Sequence, residues 1–197
     1  MKMKCAWPGN NHLMEMYHDN EWCVPSTDDN YIFEMLTLEG AQAGLSWSIV
    51  LSKREAYQTA FRNFNISYCK KLTDEDLQNV KEQHNVIKHF AKLQSVRSNA
   101  QAVTEVQKEF ESFSSFLWSY VDYKPIINHW TSDKQIPTQT SLSEQLSKDL
   151  KKRGFKFVGP VTMYSFMQAI GMVDDHIISC LLTRQIQEAR IKINFKR

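Results

Sequence analysis

The chain has 197 residues, 42% hydrophobic and 23% charged, the make-up of an ordinary globular protein with material for one sizeable core or two small lobes. Four cysteines are too few for a disulfide framework at this length, and a net charge of +2 does not by itself announce a nucleic-acid binder. No run of about 18 apolar residues exists to span a membrane, and Met1-Lys2-Met3-Lys4-Cys5 leads into polar sequence rather than a secretory apolar core, so a reducing cytoplasm is the expected location.

The elements read as helix after helix. Asp28, Asp29 and Asn30 are capping residues before the helical-period run Ile32, Phe33, Leu36 and Leu38, which Gly40 and Gly44 interrupt or end. Ser46 is placed to cap a helix running from Trp47 through Tyr57 to Phe61. Thr73-Asp74-Glu75-Asp76 resembles a capping box for a helix with Leu77 and Val80 inward. A tight hairpin is expected at Gln83-His84-Asn85, then a long amphipathic helix from about Ile87 to Lys108. Ser112 starts a short aromatic helix, and Pro125 to Pro137 is the best loop candidate. Ser141 and Glu144 suggest a capping box for the helix carrying Leu142, Leu146 and Leu150, which Gly154 ends. Gly159-Pro160 opens another helix, Gly171 breaks it, and Asp174 is placed to cap a last helix holding His176 and Cys180. There is no Asn-Gly hairpin signal and no internal repeat, so the expected fold class is all-α with two helical lobes.

Four patterns carry chemistry. Cys5 and His18 near one end, with His176 and Cys180 near the other, offer two thiolates and two imidazoles, the ligand set of a closed tetrahedral zinc site. On a helix, His176 and Cys180 would face the same way, four residues apart. Trp7, Tyr17, Trp22 and Trp47 crowd the first quarter of the chain near Glu39, as in a pocket that stacks a flat base beside a carboxylate. The helical pair around residues 74–96 could point backbone N–H groups at a DNA phosphate, with Asn85 where a left-handed turn residue is wanted. Lys148, Lys151, Lys152, Arg153 and Lys156 form a basic cluster, either a solvated helix end or a phosphate contact.

Longer motifs add to these patterns. YHDNEW at 17–22, LEGAQAGLSW at 38–47, KKRGFKFVGP at 151–160 and YSFMQAIGMVDDH at 164–176 resemble DNA-3-methyladenine glycosylase I. The resemblance runs from Cys5 to about Cys180, in the family's order. It implies a helix-hairpin-helix glycosylase, one domain over residues 1–183, its termini packed together at a structural zinc held by Cys5, His18, His176 and Cys180. A basic tail over 184–197 has no counterpart. The resemblance further implies a base pocket of Glu39, Tyr17 and Trp47 with Trp7 and Trp22 nearby. Gly44-Leu45-Ser46 matches the segment that fills the gap in duplex DNA, with Leu45 as the wedge. Three departures stand out: Met14 where an aromatic is common, Cys23 for the usual glycine after Glu-Trp, and Asn85 for the hairpin glycine.

The implied activity is excision of 3-methyladenine from alkylated double-stranded DNA, initiating base excision repair. Methylation at N3 makes adenine a cationic, already activated leaving group. The protein must then flip the nucleotide out, hold the base and admit water. Glu39 would favour the cation while Trp47 and Tyr17 contact the ring; the free base is a product, and a monomer is expected. Two other readings are a non-catalytic sensor of alkylated DNA, separable by a base-release assay, and a nucleoside hydrolase, separable by whether polymeric substrate is required.

Overall fold

The computed structural model describes residues 4–182; the basic tail from 184 lies outside them. The architecture is mostly helical. In chain order the helices are α1 (His12–Asn20), α2 (Asp29–Gln42), α3 (Trp47–Leu51), α4 (Arg54–Ala60), α5 (Ile66–Cys69), α6 (Asp74–Gln83), α7 (Phe90–Phe110), α8 (Phe113–Ser119), α9 (Ser141–Lys152) and α10 (Pro160–Ala169). Two short strands, β1 (Ile126–Ile127) and β2 (Val173–Asp174), are paired in parallel. No helix of the described residues is long and apolar enough to cross a membrane.

Helix α2 is the axis of the fold. Asp28 caps it by accepting from the backbone N–H of Asn30 and Tyr31. Every residue from Ile32 to Ala41 is buried, because α2 is apolar nearly all round rather than on one stripe. It packs against α3, α7, α8 and α10. Gly40 does not interrupt it: a Cβ there would sit 3.2 Å from that of Phe157, so the glycine permits close packing. The buried apolar side chains form one continuous cluster from Cys5 to Cys180.

Cap chemistry set most of the expected boundaries, with several corrections. The Thr73–Asp76 capping box is present, whereas the one before α9 is Thr140 with Ser143, one residue earlier than Ser141–Glu144. The helix expected from Ser46 to Phe61 is two pieces, α3 and α4, with Ser52 and Lys53 between them. The long helix starts at Phe90 rather than Ile87, because His89 supplies the N-cap. Asn85 is not among the residues with positive φ. The turn is not tight there: residues 84–89 span the gap, and Lys53 Nζ donates to the Asn85 carbonyl and side-chain oxygens at 3.1 and 2.6 Å.

The expected helix over His176 and Cys180 is absent. Asp174 belongs to β2, and its side chain accepts from the backbone N–H of His176 two residues on, a local turn that competes with helix entry. Ile126 pairs with Val173 and Ile127 with Asp174, so the Pro125–Pro137 stretch is anchored at its start rather than free. Gly171, at φ +73°, makes the tightest approach of the glycines: a Cβ there would lie 2.3 Å from the Pro25 nitrogen.

Candidate functional site

A cavity of about 320 Å³ opens where the N-terminal segment, α1, α2, α3, α10 and the 3₁₀ turn Asp133–Gln135 meet. Its walls bring together the aromatic residues expected from sequence. Trp7 stands edge-on to Tyr17 and Trp22, with ring centroids 6.4 and 5.0 Å apart, and Tyr17 lies 5.3 Å from Trp47. Met14 lines the same space, so a thioether covers part of the wall. Glu39 projects from α2 among them and is only 5% exposed. Burial pushes its carboxyl up to about 8, since nothing nearby replaces the lost hydration of the charged form. Burial, and then the charge of Glu39, also drives the Tyr17 phenol well above its usual range.

Unsatisfied polarity distinguishes this cavity. Trp7 Nε1, Trp47 Nε1, Glu39 Oε2 and Asp133 Oδ1 are buried without a hydrogen-bond partner, and all four residues line it. Native interiors rarely leave such atoms unpaired. Two donors and two acceptors around aromatic faces suit a flat, polar-edged ring.

Behind the aromatic wall lies the cysteine and histidine cluster. The ligand atoms of Cys5, His18 and Cys180 lie within 4.8 Å of one another, all buried. His176 falls instead in a neighbouring group with Cys23 and Asp174, but its ring centroid is 5.0 Å from that of His18 and its Nε2 is buried without a partner. Asp19 takes Nδ1 of His18 and Asp174 takes Nδ1 of His176, each at 2.8 Å, which turns both Nε2 atoms inward. Carboxylate–imidazole pairs of this kind orient metal-binding histidines. The hydrogen bond from Cys5 holds the Cys180 thiol far below its usual range, and burial opposes but does not overcome it. Burial lowers the tendency of His18 to protonate, yet its bonds to Cys180 and Asp19 together raise it. The donor set, burial and orphaned nitrogen fit a zinc ion.

Trp22 joins the two regions: its ring lies 4.7 Å from that of His176 and also packs on Trp7. Cys23 follows it with φ +63°, so the turn expected of glycine is kept by a residue with a side chain.

The residues assigned to DNA are more scattered in kind. Gly44 takes φ +81° at the end of α2, and Leu45 beyond it is 39% exposed. Ser46 caps α3 without a side-chain bond to its backbone; its hydroxyl meets that of Ser48. Leu13 and Met16 on α1 and Ile49 on α3 are also exposed, and α1 packs on α3. Arg153 donates two guanidinium bonds to Glu109 and lies over the rings of Phe110 and Phe116, so its charge is committed within the fold. Lys152 remains mostly exposed, 3.5 Å from Asp149.

Asp133, Gln168 and Ser165 line the cavity without having been singled out from sequence. Asp133 sits in the irregular stretch, where periodicity gives no signal. Gln168 was legible as the one amide in the apolar helix PVTMYSFMQA.

A buried aromatic cavity with unpaired polar atoms, set in a helical fold beside a thiol–imidazole cluster, defines a protein built to enclose a flat heterocycle. A sequence profile described as methyladenine glycosylase matches residues 7–184. The chain is 45% identical over 177 residues to DNA-3-methyladenine glycosylase 1 of Escherichia coli, covering 90% of this chain and 95% of that one. It is 44% identical to DNA-3-methyladenine glycosylase of Haemophilus influenzae, over 91% of this chain and 97% of the other. The solved structure of 3-methyladenine DNA glycosylase I from Staphylococcus aureus superposes with a TM-score of 0.88 at 36% identity, covering 96% and 97% of the two chains. The chain belongs to the methyladenine glycosylase family.

Proposed function

We infer that this chain is a DNA repair glycosylase that flips 3-methyladenine out of alkylated double-stranded DNA and hydrolyses its bond to the sugar, initiating base excision repair. The observation that carries this reading is that four residues with a buried, unpartnered polar atom, Glu39 among them, line one aromatic cavity. A ring that donates through its amine and accepts through its nitrogens complements that set. Free 3-methyladenine is the released product.

In this reading Tyr17 and Trp47 contact the ring, with Trp7 and Trp22 behind them, and Glu39 faces its polar edge. Burial places the Glu39 carboxyl at about 8, so by itself it favours the protonated form near neutral pH. A cationic base reverses that balance: the carboxylate form is favoured, and the proton leaves as the base enters. Unmodified adenine, being neutral, gives no such gain. The methylated base is already a good leaving group, so the residues need hold the base and shape the site for water rather than donate a proton.

Engagement of DNA is assigned to Gly44-Leu45-Ser46, with the exposed Leu45 entering the space the base has left. The α6–α7 pair serves as the helix-hairpin-helix element, its 84–89 connection meeting backbone phosphate near Asn85. Lys152 is an accessible cation of its cluster, as are Lys148, Lys151 and Lys156, whereas Arg153 is bonded to Glu109. One structural zinc is assigned to Cys5, His18, His176 and Cys180, where it would neutralise the thiolates and tie residues near both ends together. Residues 1–183 form one domain in this reading, monomeric and cytoplasmic.

The test is incubation of the purified chain with methylated duplex DNA and identification of the released base. Release of 3-methyladenine supports the reading. Binding without release would make the chain a sensor, and release from free nucleosides alone would make it a nucleoside hydrolase.

A further inference from the structure

Asp175 is fully buried, yet its carboxylate accepts four side-chain hydrogen bonds. Oδ1 accepts from Asn128 Nδ2 and Trp130 Nε1, both at 2.7 Å. Oδ2 accepts from the Tyr164 hydroxyl at 2.7 Å and from Gln168 Nε2 at 2.6 Å. The β1–β2 pairing brings Asn128 and Trp130 into reach, with the Asn128 N–H bonded to the Asp174 carbonyl. The Trp130 carbonyl in turn accepts from the Ile178 N–H. Three of the four donors are therefore structural. The fourth, Gln168, also lines the base cavity.

The anchor decides how that amide is oriented. A glutamine side chain ordinarily presents either end, but a carboxylate is acceptor-only, so the nitrogen must face Asp175. A flipped amide would set oxygen against oxygen. The main chain is held as well: the Gln168 carbonyl accepts from Cys23 N–H at 2.9 Å and Gly171 N–H at 3.1 Å. Oε1 has no partner among the described residues, and Gln168 keeps 9% of its surface open. The cavity therefore meets an acceptor whose polarity cannot invert.

We propose that Gln168 is a specificity-determining residue whose Oε1 accepts a hydrogen bond from the exocyclic amine of the flipped base, with Asp175 as its positioning residue. An amine carries two N–H groups, so Gln168 and Glu39 can each take one. A base with a carbonyl in place of the amine would meet a fixed oxygen and be rejected. The proposal rests on the glycosylase reading above and adds the selection between amine-bearing and carbonyl-bearing purines.

The experiment titrates the full chain with free 3-methyladenine and with 3-methylhypoxanthine, which has a carbonyl where the amine stood. Wild type should favour the amine. Gln168→Leu should weaken 3-methyladenine about 3- to 10-fold, the range for one neutral hydrogen bond, without weakening the carbonyl base. Dissociation constants do not depend on the fraction of active protein, so partial misfolding does not imitate this change in ratio. Gln168→Asn, which keeps an amide but withdraws the oxygen, should move the ratio the same way and serves if the leucine variant does not fold. An unchanged ratio in a variant that folds overturns the proposal. Glu39→Gln runs alongside: if it loses affinity while Gln168 variants do not, only this proposal fails, and if neither matters, the base-cavity reading fails with it.

Discussion

Two buried carboxyl groups, a helix apart, are treated in opposite ways. Asp175 is surrounded by four donors and kept as a structural anchor. Glu39 is left with a bare oxygen in an aromatic cavity, and its carboxyl is driven up to about 8. A fold can satisfy a buried acid with its own donors, or leave it poised for a donor that arrives from outside. The first arrangement offsets the cost of burying a charge, and the second leaves that cost standing.

The comparison breaks most severely at the anchor. Asp175→Ala strands the Asn128, Trp130, Tyr164 and Gln168 donors, and should lower unfolding free energy by at least about 4 kcal/mol in urea titrations. Wild-type stability in that variant would remove the distinction.

The cavity acid should behave in the opposite sense. Its folded value of about 8 lies above its ordinary 4.5, so between these values the folded chain binds more protons than the unfolded one. Its contribution is fully present below about 4.5 and is lost as pH rises towards 8. Glu39→Gln lacks this slope. It should therefore become more stable than wild type as pH increases, by on the order of a few kcal/mol near pH 8. Denaturant midpoints of both chains across that range check the sign.

The same variant should lose chemistry while gaining stability. A hydrogen bond to a charged group contributes roughly 1.5–3 kcal/mol, so single-turnover release of 3-methyladenine should fall roughly 10- to 100-fold. Wild-type release by folded Glu39→Gln would leave recognition to the aromatic faces alone. The smallest effect is expected outside both carboxyl sites: Leu45→Gly should weaken binding to abasic duplex by about tenfold, consistent with one apolar side chain losing its burial, and leave affinity for the free base unchanged. Equal loss of both would make Leu45 a packing residue.

Much of this was legible along the chain where a signal is local. Asp28, Thr73 and Ser112 announced their helices because a cap needs only a side chain and the next turn. The aromatic residues and Glu39 were found because they share one motif-rich region. The β1–β2 pair was not, since two-residue strands 47 positions apart in sequence leave no periodic trace. Missing it meant missing the Asp175 anchor and the fixed amide of Gln168. The expected helix through His176 failed for a related reason: Asp174 reads equally as a helix cap and as a strand residue whose side chain closes a local turn.

Lys92 leaves one mechanical consequence. Its buried ammonium reaches from α7 to the carbonyls of Ala41 and Ala43, at 2.8 and 2.7 Å, where α2 ends. The Gly44-Leu45-Ser46 segment starts one residue later, and α7 follows α6 across residues 84–89. The end of α2 and helix α7 are thus joined through one side chain. Were Leu45 to enter stacked bases as proposed above, its load would pass through Lys92 into α7, so the segment and the helix would move together rather than separately.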